Sequence, residues 1–229
     1  MTPVLEVERL AFRFGPRPVF SGVSFTVAEG ERVGLVGANG AGKSTLLWCL
    51  VGLLRPEGRV RLFGETPSRA VLPRLGMVFQ NPEDQLFMPT LADDLTLPLL
   101  NRGLPPRTAR ERAAAALEQL GLADYAASPA AHLSLGQRKR AAIALALAGQ
   151  PELLLLDEPT AELDGRATRQ LAGALAALPG AHLVASHHLA FLEQTAARLI
   201  VLGGGTVLAD GPTADVLADR PLLDRAGVI

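Results

Sequence analysis

The stretch Arg32-Val-Gly-Leu-Val-Gly-Ala-Asn-Gly-Ala-Gly-Lys-Ser-Thr45 decides the fold of this chain. Its apolar first part predicts a buried strand, residues 37–44 match the pattern Gly-x-x-x-x-Gly-Lys-Ser/Thr, and the apolar residues through Leu50 predict a helix. Glycines let successive backbone N–H groups turn toward one point, where the helix N-terminus adds partial positive charge. Lys43 can then reach the β- and γ-phosphates, and the Ser44 hydroxyl can bind Mg²⁺. The stretch therefore predicts a loop that binds the phosphates of a nucleoside triphosphate in an α/β protein.

Lysine is rare in this chain. The 229 residues include 22 Lys and Arg together, and only Lys43 and Lys139 are lysines. Because the larger planar guanidinium of arginine cannot replace a compact ammonium, the presence of a lysine at position 43 supports a phosphate-binding role.

A second motif, Leu153-Leu-Leu-Leu-Asp-Glu-Pro159, places two acids after a solid apolar run of strand length. Two adjacent carboxylates at a buried strand end repel each other and are costly to desolvate unless a cation lies nearby. Asp157 can bind Mg²⁺, and Glu158 can polarise a water that attacks the γ-phosphate. Taken alone, the motif could equally be a strand end capped by acids.

A third motif, Leu133-Ser-Leu-Gly-Gln137, precedes three cations, Arg138, Lys139 and Arg140, at the start of a predicted helix. The helix macrodipole disfavours cations at this end. The conflict predicts a nearby anion, such as a triphosphate. The alternative is a solvated, charged first turn.

The chain as a whole reads as one α/β domain with a helical insertion. Strands are predicted at Val4–Phe12, Val19–Val27, Arg32–Val36, Arg59–Phe63, Leu75–Phe79, Leu153–Leu156, His182–Ala185, Leu199–Leu202 and Thr206–Ala209, and helices at 42–50, 137–148, 166–178 and 189–197. Another helix is expected to start at a capping box made by Thr108 and Glu111 and to stop at Gly121. We expect residues 1–87 and 151–229 to form a nucleotide-binding core around a helical subdomain at 88–150.

Composition narrows the function further. The net charge of −1 and pI of about 6.4 give no electrostatic reason to expect a nucleic-acid partner. Cys49 is the only cysteine, so an intramolecular disulfide cannot form, and its apolar neighbours predict a packed core residue. We expect no signal peptide, because the N-terminal residues include acids and no apolar run, and no apolar run in the chain approaches the roughly 18–20 residues of a membrane span. We expect a chain that is soluble by itself and reaches a membrane only through a partner.

These motifs together resemble the ATP-binding-cassette (ABC) family over essentially the whole chain. The phosphate loop, Gln80 after a strand, Leu133–Gln137 as the signature, Asp157-Glu158, Ala161–Asp164 as the D-loop and His187 follow the family's order. The resemblance implies a P-loop ATPase with a mixed sheet, an antiparallel β subdomain and a helical insertion. It implies ATP and Mg²⁺ as cofactors and a second ABC subunit, packed head to tail, whose Ser134 and Gly136 complete the partner's ATP site.

The resemblance also assigns a role to each matching residue. It implies ATP binding by Phe14, Gly37, Asn39, Gly40, Ala41, Gly42, Lys43, Ser44, Thr45, Ser134, Gly136, Gln137 and Asp164, Mg²⁺ binding by Ser44, Gln80 and Asp157, and catalysis by Glu158, His187 and Gln80. Phe14 stands where the family stacks an aromatic ring on adenine, although a core role beside Phe12 is as plausible. The chain departs from the family at Leu135, where a glycine is usual, and at His188, where an acid is usual. For His188 a solvated side chain is the expectation.

The segment Phe79-Gln-Asn-Pro-Glu-Asp-Gln-Leu-Phe87 resembles the ATPase components of energy-coupling-factor importers and of cobalt and nickel importers. Those proteins take up vitamins or metal ions through a membrane T component, which implies a location at the cytoplasmic face of the cell membrane. Residues 81–87 would line the groove for this partner, with Leu86 and Phe87 exposed. The alternative is an ordinary surface turn, or, for these two side chains, a place in the core.

Two other functions are less consistent with the sequence. Non-transport ABC ATPases that act on DNA or ribosomes carry a long coiled-coil insertion or two cassettes, whereas this chain has one phosphate loop and no sustained heptads. A GTPase would typically carry Asn-Lys-x-Asp, and neither lysine follows an asparagine. The sequence is also consistent with the ATPase subunit of another class of ABC transporter.

Overall fold

The computed structural model describes residues 3–229 as two sheets flanked by helices. The strands are β1 (Pro3–Phe14), β2 (Arg17–Ala28), β3 (Arg32–Val36), β4 (Glu57–Leu62), β5 (Leu75–Val78), β6 (Leu153–Asp157), β7 (Ala181–Ala185), β8 (Arg198–Gly203) and β9 (Thr206–Pro212). The helices are α1 (Lys43–Leu50), α2 (Leu91–Asn101), α3 (Pro106–Gln119), α4 (Leu135–Ala148), α5 (Gly165–Ala176), α6 (Leu189–Thr195), α7 (Thr213–Ala218) and α8 (Arg220–Arg225). Short 3₁₀ turns lie at Leu72–Arg74, Pro82–Asp84, Ala123–Tyr125 and Ala130–His132.

The larger sheet has the order β5-β6-β7-β3-β8-β9. Its first five strands are parallel, and β9 joins β8 antiparallel, so the sheet is mixed. The smaller sheet, β2-β1-β4, is wholly antiparallel. This arrangement confirms the predicted fold class. The predicted strands are all present, with ends that differ by a few residues.

The parallel strands are buried on both faces, and β6 shows why its sequence is a solid apolar run. Leu153 and Leu155 belong to the core against α1 and the antiparallel sheet, whereas Leu154 and Leu156 belong to the core beneath the other helices. Side chains alternate along a strand, so both faces need apolar residues. Cys49 lies in the first core, as expected, and burial raises the pKa of its thiol to about 12.

Helices α2, α3 and α4 pack on one another through apolar residues such as Leu95, Ala113 and Ile143. They all fall within the predicted insertion at 88–150, while its status as a separate subdomain stays a prediction. The prediction of a capping box at Thr108 was wrong. Helix α3 begins at Pro106, and no side chain caps it, because the residue at the cap position, Pro105, has no side-chain oxygen that could accept a hydrogen bond.

Among residues 3–229, no helix has the length and hydrophobicity that crossing a bilayer requires.

Candidate functional site

The phosphate loop lies between the end of β3 and the start of α1, in the strand–turn–helix setting that the motif requires. Gly40 and Gly42 adopt φ values of 81° and 97°, which L-residues with a side chain rarely adopt. A Cβ at Gly42 would also lie 2.8 Å from Val19 Cγ1 of β2. Glycine is therefore required at position 42 by both conformation and space.

Lys43 is buried at the floor of this loop, with 5% of its surface exposed. Its Nζ donates hydrogen bonds to the carbonyls of Gly37 (2.8 Å) and Ala38 (3.2 Å). The same atom lies 3.1 Å from Glu158 Oε1, as an ion pair without hydrogen-bond geometry. The loop thus holds its ammonium group beside the glutamate that follows β6.

Ser44 and Asp157 meet at the end of β6, where the Ser44 hydroxyl donates to Asp157 Oδ1 at 3.0 Å. Burial raises the pKa of Asp157, the Ser44 hydrogen bond opposes that rise, and the charge of Glu158 adds to it. A bound divalent cation would offset this burial cost, and a hydroxyl with a carboxylate is an oxygen pair that Mg²⁺ accepts. The two residues therefore fit a Mg²⁺ site.

Glu158 is 5% exposed and adopts φ 43°, an unusual conformation for a residue with a side chain. Its N–H donates to the Ala185 carbonyl of β7 at 2.8 Å, which fixes the turn after β6. Its Oε2 lies 2.9 Å from Nδ1 of His187, whose main-chain N–H also donates to it at 3.4 Å. Two residues separated by 29 positions are thereby held as a pair at the carboxyl ends of β6 and β7.

A cleft of about 620 Å³ opens over these groups. It is lined by Phe14, Arg17, Pro18, Val19, Asn39, Gly40, Gly42, Lys43, Ser44, Thr45, Gln80, Glu158 and His187. Phe14 is 51% exposed and makes an edge-to-face contact with Phe12, with ring centroids 4.9 Å apart. Its place is the wall of the cleft, not the core. Three of these lining residues were not predicted from the sequence: Arg17, Pro18 and Val19. They follow Phe14 closely in the chain, so the prediction of a binding role for Phe14 could have been extended to them.

Comparison with known proteins agrees with this geometry. Residues 20–161 match the family model described as ABC transporter. The chain belongs to the ABC transporter family. It is therefore an ATP-hydrolysing, ATP-binding transporter subunit.

Three individual proteins show which members of the ABC family this chain resembles. The chain is 42% identical to the nickel import ATP-binding protein NikO of Rhodobacter capsulatus, over 100% of this chain and 97% of NikO. It is 36% identical to the energy-coupling factor transporter ATP-binding protein EcfA of Methanothermobacter thermautotrophicus, over 98% of this chain and 76% of EcfA. The structure of cbiO1 from Clostridium perfringens, described as part of the ABC transporter complex cbiONQ, superposes with a TM-score of 0.86 at 29% identity, covering 100% of this chain and 96% of cbiO1.

In this ABC chain the signature residues lie away from the cleft, in a separate cavity of about 240 Å³ lined in part by Ser134, Gly136, Gln137 and Asp164. Ser134 caps α4 by accepting from Gln137 N, while Gln137 Oε1 accepts from Ser134 N. Asp164 caps α5 by accepting from Ala167 N at 2.7 Å. Both helix N-termini face the same cavity, so the structure does not bring these residues to the chain's own phosphate loop.

The cations after the signature do not form the solvated first turn that was one of the two expectations. Lys139 is 3% exposed, and its Nζ donates to the carbonyls of Gln80 and Glu158. Arg138 donates to the Leu133 carbonyl, and Arg140 to that of Leu120. Because main-chain carbonyls serve as their acceptors, these groups do not form a solvated turn. Anions do lie nearby, since Arg138 Nη2 is 4.0 Å from Glu83 Oε1 and the carboxylates of Glu162, Glu158 and Asp157 attract Lys139. A triphosphate beside these cations stays a prediction.

The prediction for the segment after β5 was partly wrong. Asn81 caps the short turn at Pro82–Asp84, and Leu86, which was predicted to be exposed in a partner groove, is 6% exposed within the core beneath α2. Phe87 is 75% exposed, as predicted. Successive side chains point in different directions after the turn, so only one of this pair remains free at the surface.

Two of the three remaining histidines make hydrogen bonds that stabilise local structure. His188 is exposed, as expected, and its Nδ1 accepts from Phe191 N at 3.1 Å to cap α6. His182 is buried on β7, where burial lowers the pKa of its ring and Nε2 lies 3.2 Å from the Pro179 carbonyl. His132 is exposed.

Proposed function

We propose that this chain is the motor subunit of an energy-coupling-factor-type importer that takes up a vitamin or a transition-metal ion such as cobalt or nickel. The observation that carries the proposal is the similarity over nearly the whole chain to NikO and EcfA, together with the superposition on cbiO1. The working location is the cytoplasmic face of the cell membrane, where a membrane component binds the subunit. Another class of ABC transporter is the competing assignment.

ATP binding would use the cleft beside the phosphate loop. The N–H groups of residues 37–45, with the ammonium of Lys43, bind the phosphates, and Phe14 stacks on adenine from the cleft wall. Ser44, Asp157 and Gln80 would hold Mg²⁺, which neutralises charge on the phosphate oxygens when bound. The cleft's lining supports this, because Phe14 and Lys43 both face it, along with Ser44 and Gln80.

Hydrolysis would depend on Glu158 and His187. Glu158 orients and polarises the attacking water, while His187 and Gln80 help to position the water and the γ-phosphate. The 2.9 Å contact between Glu158 Oε2 and His187 Nδ1 supports this pairing. A second subunit packed head to tail would complete the binding site of the ATP held by the first. It would do so with its Ser134 and Gly136 and the adjoining Gln137 and Asp164. The separate cavity that holds those residues supports such an arrangement.

The variant Glu158→Gln tests the catalytic assignment, since the amide keeps the shape of the side chain but not its basicity. We expect ATP binding close to that of the wild type and a hydrolysis rate lower by about 10²–10⁴-fold. Glu193→Gln, the same change at an exposed site on α6, is the control and should hydrolyse ATP normally. Hydrolysis by Glu158→Gln at a rate near that of the control would refute the role of Glu158.

Phe87 tests the importer assignment. Gln80 and Asn81 line a second groove of about 550 Å³ together with Pro82, Glu83 and Asp84, and Phe87 is exposed three residues further along the chain. This groove and ring would receive a helix of the membrane T component. Phe87→Asp should abolish co-purification with that component while ATP affinity is retained, because a charge would be buried at the centre of the interface.

Leu208→Asp is the matched control, since Leu208 is 41% exposed on β9, at the opposite edge of the sheet from β5. Mass spectrometry of the proteins retained on membranes identifies the partner. Undiminished membrane association of Phe87→Asp, or recovery of a transporter of another class, would count against the importer proposal.

A further inference from the structure

Lys139 is a buried cation that is not among the ATP-binding residues described above. It lies one turn into α4, is 3% exposed, and is one of only two lysines in the chain. An ammonium in such a place must be hydrogen-bonded, because a buried charge without partners is strongly disfavoured. Its acceptors therefore indicate what the residue does.

Both acceptors are main-chain carbonyls of residues assigned to hydrolysis. Lys139 Nζ donates to the carbonyl of Gln80, and to that of Glu158 at 3.4 Å. Gln80 lies just beyond β5 and Glu158 just beyond β6, and these two strands are neighbours in the sheet. One side chain of α4 thus connects the two loops that begin at adjacent strand ends.

The contact with Glu158 acts on an unfavourable backbone conformation. Glu158 has φ 43°, where L-residues are sterically strained, so surrounding contacts must hold it there. Its N–H donates to Ala185, and its carbonyl accepts from Ala161 N at 3.1 Å and also from Lys139 Nζ at 3.4 Å. This conformation directs the carboxylate toward Lys43 and His187, so loosening either end of the residue would move the carboxylate.

Charge favours the same arrangement. Burial lowers the pKa of Lys139, and the carboxylates of Glu162, Glu158 and Asp157 oppose that shift because they attract its ammonium. Its position on α4 also ties the helix that begins at the signature to the two loops of the core. A packing role alone would not require a cation between these two carbonyls.

We propose that Lys139 is a positioning residue for ATP hydrolysis, which holds the main chain of Gln80 and Glu158 so that both side chains meet the attacking water. The proposal rests on the catalytic role proposed for Glu158. Loss of Lys139 should leave ATP binding by the phosphate loop intact, because Lys139 lines the neighbouring groove and not the cleft, and its hydrogen bonds go to main-chain carbonyls. Hydrolysis should suffer, since a displacement of about 1 Å can cost on the order of 10²-fold in rate.

The test compares Lys139→Met, Lys139→Gln and Lys139→Arg in the full-length chain, with kcat, KM and the Kd for ATP measured separately. We expect Lys139→Met to lower kcat by about 10- to 100-fold, with Kd and KM within about twofold of the wild type. Lys139→Gln keeps an amide NH₂ group that can donate but not the charge, and Lys139→Arg keeps both donors and charge, so each should recover part of kcat.

Arg32→Met is the matched control. Arg32 donates to the carbonyls of Ala176 (2.9 Å) and Leu178 (3.0 Å), at the end of β3 away from the phosphate loop. It should lower the melting temperature but leave kcat within about twofold, since it removes cation–carbonyl bonds far from the site.

Three results would overturn the proposal: a kcat for Lys139→Met within about twofold of the wild type, an equal loss of kcat and ATP affinity, or an equal loss of kcat in Arg32→Met. If Lys139→Met does not fold, the kcat of Lys139→Gln decides by the same criteria. Glu158→Gln belongs in the same assay. Normal hydrolysis by that variant would remove the role of Glu158, whereas its inactivity beside an unaffected Lys139→Met would remove only the role of Lys139.

Discussion

Leu86 and Phe87 are neighbours in sequence with opposite environments, and this contrast gives a quantitative prediction. Leu86 is 6% exposed and packs beneath α2, so Leu86→Ala removes buried methyl groups and leaves a cavity. That change should lower the free energy of unfolding by about 3 kcal/mol. For a domain of this size, about 2–4 °C per kcal/mol converts the loss to a melting temperature lower by about 6–12 °C.

Phe87→Ala removes a larger side chain that is 75% exposed. Its free energy of unfolding should stay within about 0.5 kcal/mol of the wild type, a change of less than about 2 °C. Thermal unfolding of the two variants and the wild type, at matched protein concentration and without nucleotide, measures the contrast. Equal melting temperatures for the two variants, or a larger loss in Phe87→Ala, would refute the placement of this segment.

Three further predictions concern the site and its surroundings. Lys43→Ala should weaken ATP binding in calorimetric titration, because the removed ammonium faces the phosphates, and ATP affinity equal to that of the wild type would contradict that placement. His187→Ala should slow hydrolysis strongly, whereas His188→Ala should lose about 1 kcal/mol of stability with its helix cap and little activity; the opposite pattern in the two assays would exchange their roles. Burial raises the pKa of Asp94 despite its hydrogen bonds from Phe87 N and Met88 N, so folding favours its protonated form. Asp94 therefore makes the wild type lose stability as the pH rises from 3.8, the ordinary pKa of the group, toward the raised pKa of the folded state. Asp94→Asn cannot ionise, so its free energy of unfolding in denaturant titrations should gain relative to the wild type over that range. A difference that does not vary with pH would exclude this linkage.

The short-range features of the protein were readable from the sequence. The phosphate loop, the double-sided burial of β6 and the two acids after it each depend on residues that lie within about ten positions of one another. Glycine conformations and strand periodicity are set by local sterics, and a sequence displays them directly. The order of the motifs was enough to predict the family and the mixed sheet.

Other features were decided by contacts between distant segments. Lys139 was expected in a solvated turn or beside an anion. It is buried instead of solvated, and Gln80 and Glu158, 59 and 19 positions away, provide carbonyl acceptors that the sequence did not predict. Leu86 was expected at the surface, but α2 and its neighbours cover it. No local pattern specifies which carbonyl a long side chain reaches, or which of two adjacent apolar residues is covered, because both depend on how the helices pack.

The separation between the signature and the phosphate loop has the same origin. The sequence supplies Ser134 and Lys43, but the path of α4 along the sheet places them in different cavities of one chain. Local chemistry thus determined what each motif can bind. The packing of α4 determined which motifs share a site, since only the assembled core fixes distances between segments far apart in sequence.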